Sequence, residues 1–442
     1  MILRRMIFAF LLLLCMNAAP LVYGAELLSQ LHPYVSPKGD SQLHPYVSLK
    51  EEYTDNLNLT SANKKEDFFT TVQPGIKFSN MDERSGVDLD YALGAVFYAK
   101  NSNLNYIGHN ASLNAKYLTA EHINFYLKES FIRSEEPREQ EYFTTTADNR
   151  YVLATNTDRA VYWRNVAEPT IEYQFGLENR LGVNYRNNLY RTDSMGGQDS
   201  EENYINPFFS YWFDKRNGIA LEYGFTRGDF EQAPNLTGHM ANARYIYRFS
   251  PKTSAFAGYT YSKRTFESSE PSESPFKTDY DIHEPSVGMV FTISPTLTAS
   301  AQVGYFWEKP NTGSGKDGLS YKGELRNIDP RTTFQFSLQG GYTEDFFTSE
   351  NLGFNRYHRL TGSLTHMLDR RISVGGFASL ERAVYDQPEH TDTIWGIGGT
   401  ASYMPLKWLT LALEVSHNDR QSDVSFYEYT ENRAMLTITA TY

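Results

Sequence analysis

Charged side chains occur at alternate positions of several segments in which polar and apolar residues alternate. On a strand they would share one face, and a charged face in water could guide a hydrophilic solute. Arg244 and Arg248 could form a basic ladder for an anion, and Lys322 and Arg326 repeat the spacing. A network of salt bridges that stabilises the wall of the sheet would explain the presence of both positive and negative side chains on this face equally well. The predicted pore-lining set is Asp88, Asp90, Lys128, Arg186, Glu222, Arg244, Arg248, Lys322, Glu324, Arg326 and Glu414.

Tyrosines are a second group with a chemical interpretation, because the apolar side of a sugar ring packs on an aromatic ring. Tyr98, Tyr126 and Tyr190 fall on the same predicted face as the charged set. They could serve as stacking platforms for a sugar. Simple filling of an interior is the alternative for each of them.

Catalysis has little support in the sequence. His417 with Asp419, or His390 with Asp392, could supply a base and the carboxylate that orients it. Spacing is the only argument for either pair, and the chain has no G-x-S-x-G elbow, no HExxH and no phosphate-binding glycine loop. We therefore predict no enzyme, no catalytic residue, no cofactor and no metal site.

The N-terminus has the features of a secretory signal peptide over residues 1–24. Arg4 and Arg5 precede the apolar run 7–14, and small residues lead to a cut before Ala25. The only cysteine, Cys15, lies inside this segment, so disulfides and thiolate sites are excluded from the remainder. Removal of the segment leaves 39 basic against 53 acidic residues, which argues against a nucleic-acid partner.

Alternation of apolar and polar residues predicts the strands on which these side chains lie. The pattern is regular in segments 87–97, 297–307 and 409–415, and polar connections between such segments alternate between short and long. Fifteen per cent of the residues are aromatic and the mean hydropathy is −0.52, which is too polar for a bundle of membrane helices. We predict an all-β, transmembrane, antiparallel up-and-down β-barrel of about 16 to 20 strands, with 18 to 20 favoured. A secreted array of β-sandwiches is the alternative.

The barrel is predicted to span residues 47–442, with strand 47–56 closing against strand 431–442 because an open edge is not tolerated in hydrocarbon. Residues 25–46 are predicted to be a periplasmic extension that carries a duplicated SQLHPYVS, at 29–36 and 41–48. The loop over residues 134–159 is the candidate plug. Acidic stretches at 199–202 and 267–273 are predicted to share divalent cations with lipopolysaccharide.

The last strand, with Leu436 and Ile438 on its apolar face and Tyr442 at its end, resembles the assembly signal of bacterial outer-membrane barrels. That resemblance implies recognition by the barrel-assembly machinery. It also implies an outer-membrane location, with lipid around the barrel and both termini in the periplasm.

Residues 51–79 carry a resemblance to a particular family. A Y-x-D-N strand end, a polar loop and D-F-x-T-x-x-P-G at the start of the next strand are similar to the putative beta-barrel porin 2 family. The resemblance implies a conduit for exopolysaccharide export, working with a periplasmic polysaccharide-export partner. A general or small-solute porin, an outer-membrane hydrolase and a non-conducting scaffold remain as alternatives. The matching residues are Tyr53, Asp55, Asn56, Asp67, Phe68, Thr70, Pro74 and Gly75.

Overall fold

The computed structural model describes residues 42–136, 159–193, 199–231, 233–267, 278–347, 353–386 and 389–442. Strands account for most of these residues, and short 3₁₀ turns at Ser102–Leu104 and Ser425–Tyr427 lie between strands. None of the helical segments in the described residues is long and apolar enough to cross a membrane. The strands are β1 Gln42–Thr54, β2 Asp67–Met81, β3 Ser85–Tyr98, β4 Tyr106–Leu118, β5 Ile123–Ser134, β6 Tyr162–Phe175, β7 Asn179–Thr192, β8 Ser200–Trp212, β9 Asn217–Phe230, β10 Asn235–Ser250, β11 Thr253–Glu267, β12 Tyr280–Thr292, β13 Leu297–Pro310, β14 Asp317–Ile328, β15 Thr332–Asp345, β16 Gly353–Met367, β17 Ile372–Asp386, β18 Glu389–Leu406, β19 Leu409–Ser422 and β20 Tyr429–Thr441.

The sheet closes on itself. Each strand is antiparallel to the next, and β1 pairs with β20 from Tyr46 opposite Thr441 to Thr54 opposite Arg433. Beyond that ladder the N–H of Tyr442 donates to the carbonyl of Pro45 at 2.9 Å. Closure satisfies backbone groups that would each cost several kcal/mol if left unpaired in hydrocarbon. The predicted up-and-down barrel is confirmed, and the described residues form twenty strands.

Of the connections between these strands, nine lie at one end of the barrel and ten at the other. Those at the first end are all short, and those at the second end are longer except after β9 and β17, where residues 231–234 and 387–388 separate the strands. We call these the short-turn end and the long-loop end. The turn at Asp214 shows why the short turns are tight, since its carboxylate accepts the N–H groups of Arg216 and Asn217 at 2.6 and 2.9 Å. These hydrogen bonds, that from Arg216 first, lower the pKa of Asp214. The carbonyl of Arg216 then accepts the N–H of Arg248, which fixes the turn to the next hairpin.

The first strand begins earlier than the sequence predicted. The barrel was expected from residue 47, but β1 starts at Gln42, so most of the second SQLHPYVS copy lies in the barrel wall. The residue before a proline favours extended backbone, so the His44–Pro45 pair suits a strand. Pro45 lies opposite Ile76 in the ladder with β2. The first copy, at 29–36, lies outside the described residues.

Four prolines interrupt the wall at mid-strand. Each lacks a backbone N–H and therefore removes a ladder bond. In every case the ladder with one neighbouring strand is continuous, and the ladder with the other skips the proline and the residue before it. The interrupted ladders are those of Pro74 with β3, Pro169 with β7, Pro207 with β9 and Pro285 with β13.

The two faces of the wall differ as a membrane barrel requires. Large apolar side chains are exposed on the outer parity, for example Val303 at 49% and Leu380 at 46%. Histidines on this outer parity meet tyrosine hydroxyls towards the long-loop end, which is typical of an interfacial aromatic belt. Two of the pairs join neighbouring strands, and the third reaches from β14 to β16 across Gly340 of β15. The pairs are Tyr223 with His239 at 2.7 Å, Tyr259 with His283 at 2.6 Å and Tyr321 with His358 at 2.8 Å.

Arginine at Leu380, which is at mid-strand and faces outward, is expected to destabilise the barrel by about 2–4 kcal/mol, because a cation at the bilayer midplane loses its hydration. The adjacent Ser379 faces inward, so Ser379→Arg is the matched control and is expected to cost much less. Denaturant unfolding in lipid vesicles measures both variants. Equal losses would contradict the assignment of the faces.

Candidate functional site: the barrel interior

All eleven predicted pore-lining residues lie on the inward parity of their strands, opposite the exposed apolar rows. They are spread over seven strands and do not form one cluster. The structure distributes them as Asp88 and Asp90 on β3, Lys128 on β5, Arg186 on β7, Glu222 on β9, Arg244 and Arg248 on β10, Lys322, Glu324 and Arg326 on β14, and Glu414 on β19.

Several of these charges are engaged by neighbours. Asp90 accepts Lys77 at 3.2 Å, and Arg186 reaches Glu202 at 2.6 Å. Arg248 binds Glu178 near the short-turn end, where its guanidinium also lies 3.9 Å from the centre of the Trp212 ring. Arg244 lies over the ring of Phe256 at 5.3 Å. The supposed basic ladder of Arg244 and Arg248 therefore has one member in a salt bridge, which favours the bracing interpretation for Arg248.

Three further inward pairs were missed by sequence reasoning. Each joins residues on neighbouring or distant strands, and nothing in a single strand's alternation reveals the partner. Arg359 binds Glu381, Arg433 binds Glu52 at 2.7 Å, and Arg264 binds Glu344 at 2.6 Å. The Tyr280 hydroxyl also donates to Glu344 at 2.7 Å. In each of these pairs the two charges neutralise each other.

Small hydroxyl side chains line the inward face of β16 to β20 and of β1 from mid-height to the short-turn end. Ser48 on β1 meets Thr439 on β20 at 2.6 Å, and Glu414 interrupts the set. We call this set the hydroxyl band. Its members are Thr361, Ser363, Thr365, Ser373, Ser379, Thr400, Ser402, Thr410, Ser416, Thr437, Thr439, Thr441 and Ser48.

The long-loop end is narrowed by side chains that fold inward. Leu57 and Leu59, in the loop after β1, are 0% and 1% exposed, and Leu57 packs with Phe69, Val96 and Tyr98. Arg159 donates to the carbonyl of Leu57 at 2.9 Å and to the hydroxyl of Tyr98 at 3.0 Å. It also pairs with Glu136 at 3.0 Å. Glu136 and Arg159 flank the predicted plug, whose residues 137–158 lie outside the described part of the chain.

A second inward segment follows β15. Phe346 is 5% exposed and packs among inward rings of β9 to β13. Phe347 lies 5.4 Å from the ring of Phe230 on β9, and its carbonyl accepts Nη2 of Arg164, on β6, at 2.6 Å. β6 and β15 are nine strands apart in a ring of twenty, so this contact joins nearly opposite walls. A circular ring of this size is roughly 40 Å across between backbones. The segment therefore narrows the mouth.

The residues considered for catalysis occupy structural positions. His390 lies 4.4 Å from the ring centre of Tyr385 and 4.9 Å from that of Tyr427. Asp392 is fully buried and accepts Arg420 at 2.6 Å. His417 faces outward, and its Nδ1 lies 2.8 Å from Asn432. Among the described residues no group of three His, Cys, Asp or Glu side chains could hold a metal ion.

Two of the three predicted sugar platforms are unavailable for stacking. Tyr98 and Tyr190 are 4% and 2% exposed, because inward packing at the long-loop end covers their rings. Tyr126 faces inward near the short-turn end and is 37% exposed. Only its ring keeps the accessibility that the sugar interpretation requires.

The closed barrel with a polar interior defines an outer-membrane β-barrel of the porin and transporter type, a class that is generally not enzymatic. The family model described as putative beta-barrel porin 2 matches residues 231–442, which confirms the resemblance predicted from the sequence. The match covers the second half of the barrel and does not include the motif at residues 51–79. Comparison with curated proteins finds no match.

Solved structures agree on the fold. The FrpB iron transporter from Neisseria meningitidis (F5-1 variant) superposes with a TM-score of 0.53 at 10% identity, over 92% of this chain and 83% of that one. The siderophore receptor PirA from Pseudomonas aeruginosa gives 0.50 at 9% identity, over 92% and 81%. At such identities the likeness concerns the fold alone.

Proposed function

We propose that the barrel is a passive, non-catalytic conduit for exopolysaccharide across the outer membrane. The hydroxyl band is the observation that carries the proposal. An uncharged polyhydroxylated chain can exchange hydrogen bonds with water for hydrogen bonds with such a wall at little net cost. The interior charges are of both signs, and this mixture agrees with a neutral cargo because it leaves little net field to select ions. The family resemblance supports the same cargo.

The proposal includes an orientation. With the short-turn end and both termini in the periplasm, the long loops face the cell exterior, as in bacterial outer-membrane barrels. The short-turn rim would then meet a periplasmic polysaccharide-export partner. The signal peptide at 1–24 and recognition of Leu436, Ile438 and Tyr442 by the assembly machinery belong to this proposal, as does lipopolysaccharide around the long-loop end.

A small-solute porin is the second candidate. The observation that favours it is the narrowed mouth, where Phe346, Leu57 and Arg159 occupy space that a polymer would need. A mouth that stays narrow would pass small solutes and stop a chain of sugars.

Deletion of the gene in its source strain separates the two candidates. Under the polymer proposal, surface polysaccharide falls and polymer accumulates in the periplasm, while uptake of small sugars is unchanged. Complementation with the full chain restores the surface polymer. Unchanged surface polymer together with slower uptake of small sugars would instead support the porin and remove the polymer conduit.

A further inference from the structure

Two irregularities of the barrel wall meet at one place between β12 and β14. Pro285 interrupts the ladder of β12 with β13, which passes from His283 opposite Trp307 to Ser286 opposite Gly304. Gly304 keeps this place free of a side chain, since a Cβ atom there would lie 2.6 Å from the Ser320 hydroxyl and 2.8 Å from the Pro285 carbonyl. Glycine within a strand often marks a close approach of backbone or ligand.

A third irregularity lies on β15. Its ladder with β14 ends at Tyr321 opposite Gly340, whereas its ladder with β16 continues to Asp345 opposite Gly353. Gly341 adopts a φ of 142°, which side chains rarely tolerate. The parity of β15 changes at this point, because Leu338 is exposed on the outside while Tyr342 packs on the inward ring of Phe306 at 4.9 Å. Gln339 and Tyr342 therefore both face the interior.

A cavity of about 430 Å³ results, open towards the barrel interior. Its size falls within the usual range for small-ligand sites. Glu284 accepts a hydrogen bond from the Ser320 hydroxyl. The side chain of Gln302 makes no hydrogen bond within the part of the chain that the structure describes, so its amide is available to a ligand. The polar lining comprises Glu284, Gln302, Ser320, Lys322, Gln339 and Glu344, with the tyrosines Tyr342 and Tyr357.

We propose that this cavity is a binding subsite for a neutral sugar unit, and this inference rests on the proposed polysaccharide conduit. Amide groups donate and accept hydrogen bonds with sugar hydroxyls, and carboxylates accept them. A tyrosine ring packs on the apolar side of a pyranose. Lys322 lines the cavity together with the carboxylates of Glu284 and Glu344, so charges of both signs are present there and a neutral sugar is favoured. Glu344 is already neutralised by Arg264, which leaves Glu284 as the principal acceptor.

A sugar subsite would explain two features of the wall that an open conduit does not require, namely the ladder break at Pro285 and the unusual backbone of Gly341. Glu284 directly precedes Pro285, and neither residue is paired with β13 in the ladder. The break in the ladder therefore places the Glu284 carboxylate, a hydrogen-bond acceptor, next to backbone that is not paired with β13. The unusual backbone conformation of Gly341 brings Gln339 and Tyr342 to the same side of β15.

Binding of a neutral gluco-oligosaccharide, maltohexaose, to the purified full chain tests the subsite by transient block of single-channel current and by calorimetry. Gln302→Ala is expected to raise the Kd about tenfold, the usual effect of losing a hydrogen bond in a partly enclosed site. Gln335→Ala is the matched control, because Gln335 is an inward glutamine of β15 outside the cavity, and its Kd is expected to stay within about twofold.

Gly341→Ala gives a second, independent reading, since its Cβ would lie 3.1 Å from that of Ser320 in a disfavoured backbone conformation. Loss of binding in a folded Gly341→Ala barrel supports the subsite. Equal effects of Gln302→Ala and Gln335→Ala, absence of maltohexaose binding, or tighter binding of an acidic oligosaccharide would overturn it. None of these binding results tests the proposal that the barrel exports exopolysaccharide. That proposal is tested separately, by the amount of surface polysaccharide in the deletion strain.

Discussion

Replacement of Arg420 by methionine is expected to destabilise the barrel by about 3–5 kcal/mol, because it leaves the buried carboxylate of Asp392 without its cation. Both side chains are fully shielded from solvent, and two guanidinium nitrogens, Nε and Nη2, donate to the same carboxylate oxygen at 2.9 and 2.6 Å. The Arg420 guanidinium also lies 4.8 Å from the centre of the Tyr427 ring, so the loop before β20 should loosen with it. Denaturant unfolding in lipid vesicles measures the loss.

The double variant Arg420→Met with Asp392→Leu separates charge burial from loss of packing. It is expected to recover most of the stability, because removal of both charges also removes the cost of shielding them from water. Arg248→Met is the control for a solvent-exposed pair, and it should cost under about 1 kcal/mol. If Arg420→Met and Arg248→Met prove equally mild, the Asp392–Arg420 pair does not hold the long-loop end together.

The stabilising contacts at that end could not have been predicted from the sequence, and the reason is physical. Alternation places Asp392 and Arg420 on the inward parity of their strands, but whether two inward charges meet depends on register, which alternation does not determine. Parity did identify the inward face of every predicted pore-lining residue. It does not extend past Gly341, where one residue in an unusual conformation exchanges the faces of β15. The start of the first strand was also placed too late, at residue 47 instead of Gln42.

Loops set the other limit on sequence reasoning. Most connections follow the predicted alternation of short and long, because turn residues have local causes such as the carboxylate of Asp214, but those after β9 and β17 are as short as the turns. Inward folding of Leu57 and Phe346 has no local cause. An apolar residue in a polar loop gains by burial wherever an interior is available, and the sequence does not say which interior. The plug was therefore sought only in the longest loop, while two shorter loops also narrow the mouth.

These observations together define a barrel with two different halves. The hydroxyl band and the exposed ring of Tyr126 lie from mid-height to the short-turn end, whereas rings, leucines and buried ion pairs crowd the long-loop end. A conduit for a polymer must widen at the crowded end to work. The contact of Arg164 with the carbonyl of Phe347 is the described link that most directly holds the mouth narrow, because it joins nearly opposite walls.

Loosening this link is expected to widen the mouth. In the variant Arg164→Ser with Phe346→Ser and Phe347→Ser, single-channel conductance in planar bilayers should rise by about twofold or more, because the narrowest section dominates the resistance of a water-filled pore. Phe256→Ser is the control, since that inward ring packs on Gly288 nearer the short-turn end, and its conductance should be unchanged. An equal conductance in all three proteins, with the variant folded, would show that the segment after β15 is not the constriction. A rise confined to the mouth variant, accompanied by more surface polysaccharide when that variant complements the deletion strain, would connect the width of the mouth to export of the polymer.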